Sequence, residues 1–481
     1  MATQITQSQY NISKQSIRNK YVKIELLDFN YMTVGELQGN VISGSVDVQA
    51  NSDLRRSCTL SLVVTDSSFN VEAGGKIWLD KLIKIQVGID DIRTGQVVWS
   101  KLGIFLINQP SYTYDAETHT LSFQGLDLVA RLTGLRNGYV ANLGQDDKVL
   151  IKTGDNVREN IIGVLQQNGI NRYVISECKN TDGAIQPVPY DMEFEQGSTW
   201  WDVIVALRDI LPSYQAYFDV DGVFIYEPIS ISAADPIMVD MDIWRENVIS
   251  DSVDVDFENV KNVVEVYGVM HEPQYFSDAT NTTVSGANIS ITVSEEFEAE
   301  EYVMIGFVLP TAASGNITIN VNNTGAVNLV NSSGSRITTL AADTYWVAYY
   351  QANGTWLFLG HVQAQAIWQD INPQSPFYIN GSIGEIRIPL YGNDYENIQS
   401  DELALERAKY EIYLRCRLND AISITTVPIY YLDVNWKINY QPLGQEIINQ
   451  YIIQSISIDL SAEGEQTINM SRFYPLYPDL I

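Results

Sequence analysis

Apolar and polar residues alternate along the first part of the chain, as in β-strands that bury one face. Residues 58–64 read CTLSLVV and residues 83–89 read IKIQVGI, so every second side chain is apolar in both segments. The segments SYTYD and THTLSFQG flank Ala116 and Glu117, which predicts a hairpin. Such close spacing of strands predicts an antiparallel β-barrel or sandwich, closed by a short helix at Leu126–Leu132.

Apolar residues at helical spacing occur in three places. The segment KTGDNVRENIIGVLQQNGI predicts a helix capped near Asp155, and a second helix, TWWDVIVALRDIL, begins at Ser198 or Thr199. The clearest helix, about 400–418, is capped by Ser400, with acidic residues in its first turn and arginines in its last. We expect its apolar stripe to pack in a core: Leu405, Ala408, Ile412 and Cys416.

The segment Tyr217–Pro228, YFDVDGVFIYEP, brings two aspartates, a glycine and a glutamate close together. A calcium loop of the helix–loop–helix type needs oxygen ligands at its first and last positions, with a glycine at the sixth. If Gly222 is the sixth residue, those two positions are Tyr217 and Pro228, and neither can serve. The pair Asp221-Gly222, flanked by aromatic and apolar residues, instead predicts a β-hairpin with a type I′ turn.

Changes in composition predict a mainly β (α+β) chain of several domains. Residues 275–364 are rich in Asn, Thr, Ser, Gly and Ala and interrupt a domain that resumes after them. The predicted parts are an N-terminal arm, mobile or docked on a partner, at 1–19; a β-barrel at 20–145; a mixed domain of helices and a hairpin at 146–245; a second β-domain at 246–274 and 365–481, with the helix at about 400–418; and an inserted β-sandwich at 275–364.

The chain is strongly acidic, and the charge is unevenly distributed. The formal net charge is −30, yet residues 1–150 carry 14 Lys and Arg against 15 Asp and Glu. Residues 151–481 therefore carry almost all of the acidic surplus. Such a surface repels phosphate backbones, which disfavours specific nucleic-acid binding. It is compatible with a channel that nucleic acid passes without sticking, or with solubility alone.

The remaining composition excludes several protein classes. The three cysteines, Cys58, Cys178 and Cys416, are far apart and lack paired spacing, so neither a disulfide framework nor a zinc site is predicted. The first twenty residues have no apolar segment typical of a secretory signal. The longest apolar run, 302–313, is too short to cross a bilayer, so no membrane insertion is predicted.

No motif predicts catalysis, a cofactor or a metal centre. The three histidines stand far apart, and the sequence lacks the HExxH, GxSxG, P-loop and GxGxxG motifs. Acidic residues are densest at 254–258 and 295–301. On a strand, Asp254, Asp256 and Glu258 would share one face, which we interpret as a solvated face in preference to a cation site. No sugar cleft of a glycosidase is indicated either. The chain is therefore predicted not to be an enzyme.

The order of several segments resembles the tail-hub (baseplate hub) family of bacteriophages. A single one of these segments is a weak indication of the family, and the order in which they occur along the chain is the more specific feature. They cover most of the chain outside 275–364: SYTYDAETHTLSFQGLDLVARL, GSTWWDVIVALRDILPSYQAYFDVDGVFIYEP, ENVISDSVDVDFENVKNVVEVYGV, INPQSPFYINGSIGEIRIPLYGNDYENIQSDELALERAKYEIYLR and VPIYYLDVNWKINY.

The resemblance implies two tail-tube-like β-barrels in each chain and a homotrimeric ring in the virion, made in the host cytoplasm. Three chains with two barrels each present six similar units, which joins a sixfold tail tube to a threefold tip. The implied partners are a tail tube or distal tail protein, the C-terminus of the tape-measure protein and a tail tip or spike protein. DNA passes through an acidic-lined channel without specific binding. Some hubs carry a lytic domain, and we expect no lytic activity here, because the sequence up to FYPLYPDLI has no segment left for such a domain.

The inserted segment resembles small β-modules appended to phage tail and fibre proteins, from NITINVNNTGAVNLV to NGTWLFLG. Aromatic side chains in such a module are candidates for contacts with sugar rings. The candidates are Trp346, Tyr349, Tyr350 and Trp356. Packing in the core of a small sandwich is the favoured alternative for them. An adhesin that binds surface glycans through the insert is accordingly the second functional hypothesis.

Overall fold

The structure is a computed structural model of the 481-residue chain. The residues that it describes are 5–37, 39–64, 71–114, 119–140, 149–179, 183–195, 197–211, 214–229, 234–270, 275–293, 303–331, 334–351, 353–361, 363–392, 395–417 and 419–473. Strands predominate over helices, so the predicted mainly β, multi-domain fold is confirmed. The acidic segment 295–301 and the turn at Ala116 and Glu117 lie outside the described residues.

The first part of the chain contains one short helix, seven strands and a 3-10 helix. The helix is α1 (Gln7–Ile12), and the 3-10 helix is Leu128–Arg131. The strands are β1 (Lys20–Leu27), β2 (Thr33–Glu36), β3 (Gly39–Gln49), β4 (Arg56–Val64), β5 (Leu82–Asp91), β6 (Gln96–Tyr114) and β7 (His119–Leu126).

The N-terminal arm packs on its own chain. Thr6 caps α1 in a capping box with Gln9, and Ile12 is buried in the main hydrophobic core. Arg18 donates a hydrogen bond of 3.0 Å to the carbonyl of Pro428, far along the sequence. The described residues 5–19 are therefore held against their own chain and do not form a mobile arm, whereas their docking on a partner stays a prediction.

The middle part packs two helices against small sheets. Its elements are β8 (Val149–Ile151), α2 (Val157–Gln167), β9 (Tyr173–Ile175), β10 (Met192–Phe194), α3 (Trp200–Asp209), β11 (Tyr214–Phe218) and β12 (Phe224–Pro228). Asn156 caps α2, one residue after the predicted cap, and Thr199 caps α3 in a capping box with Asp202. The buried faces of α2 and α3 share a core with the hairpin of β11 and β12.

The hairpin predicted at Tyr217–Pro228 is present, but its turn is not type I′. The Asp219 N–H donates to the carbonyl of Val223, and only Gly222 has a positive φ, of 71°, in this turn. The loop is therefore a longer one with glycine in the left-handed position. The Asp219 carboxylate accepts hydrogen bonds from the N–H groups of Asp221 and Val223, and its pKa is raised by burial.

A third part begins with α4 (Met241–Asn247), β13 (Val248–Asp256) and β14 (Val263–Met270) and is then interrupted by the insert. The insert forms an eight-stranded and a two-stranded sheet around its own core. Its strands are β15 (Tyr275–Asp278), β16 (Asn281–Ser285), β17 (Asn288–Thr292), β18 (Val303–Val308), β19 (Ala313–Ser314), β20 (Thr318–Val321), β21 (Val327–Val330), β22 (Thr339–Leu340), β23 (Tyr345–Tyr350) and β24 (Trp356–Gly360).

The chain then resumes beside the strand that it left. Its remaining elements are β25 (Gln363–Gln369), β26 (Arg387–Leu390), α5 (Asp401–Arg415), β27 (Asn419–Thr426), β28 (Lys437–Tyr440), β29 (Asn449–Asp459) and β30 (Gln466–Arg472). Met270 of β14 is paired with Gln363 of β25, so the insert leaves and re-enters at neighbouring positions.

Helix α5 packs on the small sheet of β25, β14 and β26. Ser400 caps it, with its hydroxyl accepting a hydrogen bond from the Leu403 N–H. Three residues of the predicted apolar stripe are buried: Ala408, Ile412 and Cys416. The fourth, Leu405, is only half-buried, and the neighbouring Ala404 is buried in its place.

The two predicted barrel regions share one twelve-stranded sheet. Its strand order is β13-β27-β30-β29-β3-β4-β7-β6-β5-β1-β2, with β28 paired to β29. One hydrophobic core runs beneath strands of both regions and includes Val46, Leu60, Ile424 and Ile458. The two predicted barrel regions are therefore joined edge to edge, because β29 and β3 pair directly and a common core lies behind them.

Candidate functional site

The junction between the two barrel regions is a regular antiparallel ladder. The pairs are Ser455–Gln49, Ile456–Val48, Ser457–Asp47, Ile458–Val46 and Asp459–Ser45. The Ser457 hydroxyl donates a hydrogen bond of 2.5 Å to Asp47, and the Leu460 N–H donates to the carbonyl of Gly44 at 2.9 Å. The apolar members of the ladder are buried on the other face. We call this ladder the β29–β3 junction.

Four strands on each side of the junction repeat the same arrangement. The first unit is β3, β4, β7 and the second half of β6, and the second unit is β13, β27, β30 and the second half of β29. In each unit the long strand, β6 or β29, forms a hairpin with the next strand, β7 or β30. The first half of each long strand pairs with an accessory strand, β5 or β28.

A register shift occurs at the same place in both long strands. In β6 it lies between Asn108 and Ser111, and in β29 it lies between Ile453 and Ser455. Ser111 pairs with Ser122 immediately after the shift, and Ser455 likewise pairs with Asn469. Because a bulge fixes the register of the residues that follow it, Ser111 and Ser455 occupy equivalent positions in the two units.

One face of the continuous sheet is lined with small polar side chains, and we call it the polar face. One row of directly paired residues crosses six strands: Ser250, Thr425, Thr467, Ser457, Asp47 and Ser57. Another row crosses the first unit: Ser43, Ser61, Ser122 and Ser111. Side chains hydrogen-bond to one another within it, as Ser122 does to Ser61 at 3.0 Å.

The polar face is weakly acidic. Among the described side chains of the two units that point to it, the charged ones are Asp47, Asp254, Asp256 and Asp459, and none is a lysine or arginine. A shallow concavity of about 550 Å³ lies on this face near Ser43, Thr59, Gln124 and Asp459. Most of the chain's acidic surplus therefore lies elsewhere, and hydroxyl and amide groups dominate the surface.

Within the described residues, no strand pairs with the outer edge of the second unit. Strand β13 stands at the end of the strand order, and most of its apolar side chains are exposed. Val255 and Phe257 have exposed fractions of 46% and 73%. Val46 and Val48, which lie on the edge strand of the first unit at the β29–β3 junction, have exposed fractions of 0% and 5%. A row of exposed apolar residues on an edge strand marks a surface suited to pairing.

A buried polar cluster holds the two barrel regions and the middle part together. Arg56 of β4 forms an ion pair with Asp433 and donates to the carbonyl of Phe218 at 2.7 Å. Arg55 donates to Gln215, which also accepts a hydrogen bond from Asn435. Burial lowers the pKa of Arg55. Sequence patterns gave no sign of this cluster, because its members come from distant parts of the chain.

The acidic residues at 254–258 do not form one face. Asp254 and Asp256 belong to β13, but the strand ends there and Glu258 lies in the following turn. Asp256 accepts hydrogen bonds from the N–H groups of Glu258 and Asn259, and hydrogen bonds lower its pKa, that from the Asn259 side chain most. Among the described residues, no group of three or more His, Cys, Asp or Glu side chains is arranged to hold a metal ion.

Two histidines predicted to stand alone fall within the described residues. His119 begins β7, and His361 follows β24 with its Nδ1 atom 2.7 Å from the Asp401 carboxylate. Burial raises the pKa of Asp401, although the Gln365 N–H and His361 act against the shift. This contact ties the exit of the insert to the start of α5.

The aromatic residues proposed as sugar contacts lie in or against the cores of the insert. Trp356 is buried, with an exposed fraction of 2%, and the ring of Tyr350 packs edge-on against it at 5.0 Å. Trp346 packs on Phe358 and donates its indole N–H to the carbonyl of Ala341 at 3.1 Å. Tyr349 packs against a second cluster. The four therefore do not form one exposed aromatic surface.

Comparisons with known proteins give distant similarities. The family model for a domain of unknown function, DUF5048, matches residues 374–477. No curated protein matches the sequence. Among the described residues, no helix is long and apolar enough to cross a bilayer.

Several solved structures are similar over most of the chain. A 43 kDa tail protein of prophage MuSo2 from Shewanella oneidensis is 11% identical with a TM-score of 0.49, covering 94% of this chain and 98% of that protein. A tail protein from Neisseria meningitidis is also 11% identical, with a TM-score of 0.48 and the same coverage. A prophage tail protein from Listeria monocytogenes is 11% identical, with a TM-score of 0.42, covering 93% of this chain and 94% of that protein. At such identities and TM-scores the likeness does not establish family or function.

Proposed function

We propose that the chain is the structural tail hub of a bacteriophage, in which three copies form a ring between the sixfold tail tube and the threefold tail tip. The observation that supports this proposal best is the internal repetition. Each chain contains two four-stranded units joined edge to edge by the β29–β3 junction. Three such chains carry six similar units. If the outer edge of each chain pairs with the outer edge of the next around a ring, no strand edge stays open.

The polar face lines the central channel of this ring. The short hydroxyl and amide side chains of this face form hydrogen bonds with water as readily as with DNA. They therefore do not retain DNA that passes through the channel. The four aspartates on the described part of the face, and the lack of cations among those residues, weaken phosphate binding further. The lining in this proposal is therefore weakly acidic, and most of the acidic surplus lies on other surfaces.

The partners in this proposal are those implied by the resemblance of the sequence to tail hubs. A tail tube or distal tail protein contacts one rim of the ring, and a tail tip or spike protein contacts the other. The C-terminus of the tape-measure protein ends at the ring. The protein is made in the host cytoplasm and works in the virion as a structural component without enzymatic activity.

The mass of the purified full-length chain in solution tests the proposal. Light scattering at micromolar concentration is expected to give a particle of three times the 54.0 kDa chain mass. A chain that stays monomeric under these conditions, both alone and mixed with tail tube and tip proteins, contradicts the hub.

The second candidate, a glycan-binding adhesin, has weaker support. It requires the insert to present aromatic rings to sugars, and the four candidates pack in or against its cores. Tyr349, Tyr350 and Trp346 are half-buried, and they lie on one strand whose successive residues face opposite ways, so Tyr349 lies on the other face from Trp346 and Tyr350. Glycan-array binding that disappears when the insert is deleted would support this candidate.

A further inference from the structure

The β29–β3 junction shows how the two units of one chain join, and the same kind of junction can join units of two different chains. Its two strands are the last strand of the second unit and the first strand of the first unit. The opposite ends of the two units are β13 and the second half of β6. If the units are equivalent, those two edges are related in the same way as the two edges that form the junction.

Strand β6 offers an edge of the correct kind. Residues 96–106 of β6 pair with β5 on one side, whereas residues 106–114 pair with β7 on the other. The side of residues 111–114 that faces away from β7 has no strand beside it within the described part of the chain. In the second unit the equivalent side of β29, residues 455–459, is the one that pairs with β3.

The ladders fix the register from strand to strand. After the equivalent bulges, Ser111 corresponds to Ser455. Their partners Ser122 and Asn469 pair in turn with Ser61 and Ser423.

The last step reaches the two edge strands. Ser61 pairs with Ser43, and Ser423 pairs with Ser252. Ser43 of β3 therefore corresponds to Ser252 of β13, and Asp47 corresponds to Asp256. Two exposed apolar residues, Val255 near the end of β13 and Phe257 just after it, then fall on positions that are buried in β3. Val255 corresponds to Val46, and Phe257 corresponds to Val48.

We propose that β13 of one copy pairs in antiparallel fashion with residues 111–114 of β6 in a second copy, with Asp256 opposite Thr113. This inference rests on the proposed ring and specifies its interface. Phe257 then lies opposite Tyr112, as Val48 lies opposite Ile456 within the chain. The Thr113 hydroxyl takes the place of Ser457, which donates to Asp47.

The pairing places a strand beside both edges at once, where none lies in the described part of the chain. The polar face continues unbroken from Ser111 and Thr113 of one copy to Asp254 and Asp256 of the next, since these residues share one face of their strands. The exposed Phe257 becomes covered by the neighbouring copy. Burial of an exposed phenylalanine favours association, because it removes apolar surface from water.

Engineered cysteines test the register in the full-length chain. The double variant Thr113→Cys with Asp256→Cys is expected to form disulfides between chains after mild oxidation, giving dimers and trimers on a non-reducing gel. Ser457→Cys with Asp47→Cys is the matched control, because it places the same pair inside one chain and should close without joining chains. The native cysteines are buried, so they contribute little background.

A shifted pair makes the test specific. Thr113→Cys with Ser252→Cys moves one cysteine four residues along β13 on the same face, and it should not cross-link. A trimer by light scattering in which the control pair closes but Thr113 and Asp256 do not join overturns this interface and leaves the hub proposal intact. Cross-linking of the shifted pair alone also overturns it. A monomeric wild-type chain overturns both proposals.

Discussion

Arg56 and Asp433 form an ion pair of 2.5 Å between residues 377 positions apart. The arginine side chain is almost fully buried, and it also donates to the carbonyl of Phe218 in the middle part of the chain. Three parts of the molecule therefore meet at one guanidinium group. Burial of the Arg56 guanidinium costs free energy, and the Asp433 carboxylate offsets part of that cost.

Removal of one partner of this pair is expected to destabilise the whole chain. Asp433→Asn should lower the free energy of unfolding by about 3 kcal/mol, because it removes the ion-pair partner of the almost fully buried Arg56 side chain. Chemical denaturation followed by tryptophan fluorescence measures the change. Asp221→Asn is the control, because Asp221 pairs with Lys101 on the surface. That substitution should cost about 1 kcal/mol or less. Equal effects of the two substitutions would contradict the role of Arg56.

Charge at the open edge of β13 should prevent assembly without unfolding the chain. Phe257→Asp removes about 2 kcal/mol of apolar burial at each proposed interface and places a carboxylate there. Because Phe257 is exposed in the isolated chain, the substitution should leave monomer stability within about 0.5 kcal/mol of the wild type. Light scattering is expected to show a shift from trimer to monomer at micromolar concentration.

Ile249→Asp is the matched control for this prediction. Ile249 is also an exposed apolar residue of β13, but it lies at the other end of the strand, outside the segment equivalent to the β29–β3 junction. The variant should remain trimeric. Loss of the trimer in both variants would mean that general edge exposure, and not the proposed register, governs association.

The pH dependence of stability should change when Glu25 is replaced. Burial opposes ionisation of Glu25, yet hydrogen bonds from Lys23 and Lys84 outweigh it and lower the pKa. A lowered carboxyl pKa stabilises the folded chain above the ordinary value of about 4.3, and this contribution is lost as the pH falls through the lowered pKa.

Glu25→Gln should therefore reduce the midpoint of denaturation at pH 7 and have a smaller effect at a second, acidic pH at which the Glu25 carboxylate is protonated. Parallel denaturation curves at the two pH values measure the difference. Glu72→Gln, at an exposed position, is expected to change neither curve. A cost for Glu25→Gln that is the same at both pH values would contradict the ion-pair contribution.

The insert should be removable without loss of the hub. Met270 and Gln363 are paired across β14 and β25, so a short turn can replace residues 271–362. The deletion gives up the contact of His361 with Asp401 and that of Asn331 with Glu402, which are both near the surface. The expected product is a folded trimer, as measured by light scattering and circular dichroism. Aggregation or unfolding would show that the insert supports the rest of the fold.

The alternation of residue types correctly predicted the strands, because one-sided burial leaves a local pattern. Leu60 and Ile458, for example, are buried in one core while their neighbours Thr59 and Ser457 are exposed. Caps such as Thr199 and Ser400 were also predictable, since a cap and its helix are adjacent in sequence.

Features that depend on distant pairing left no local signal. The β29–β3 junction joins segments about 410 residues apart, as Ser457 and Asp47 show. The turn at Gly222 was mispredicted because the Asp219 side chain binds two N–H groups of the loop. In addition, a Cβ atom at Gly222 would lie 2.7 Å from the ring of Tyr31, so packing as well as turn type requires glycine there.

Imaging of the purified particle by cryo-electron microscopy would show the proposed ring itself. We expect a ring of three chains with one threefold axis, in which β13 of each chain pairs with β6 of the next and the polar face lines the central opening. A particle without a threefold axis, or a ring in which β13 remains an open edge, would contradict it.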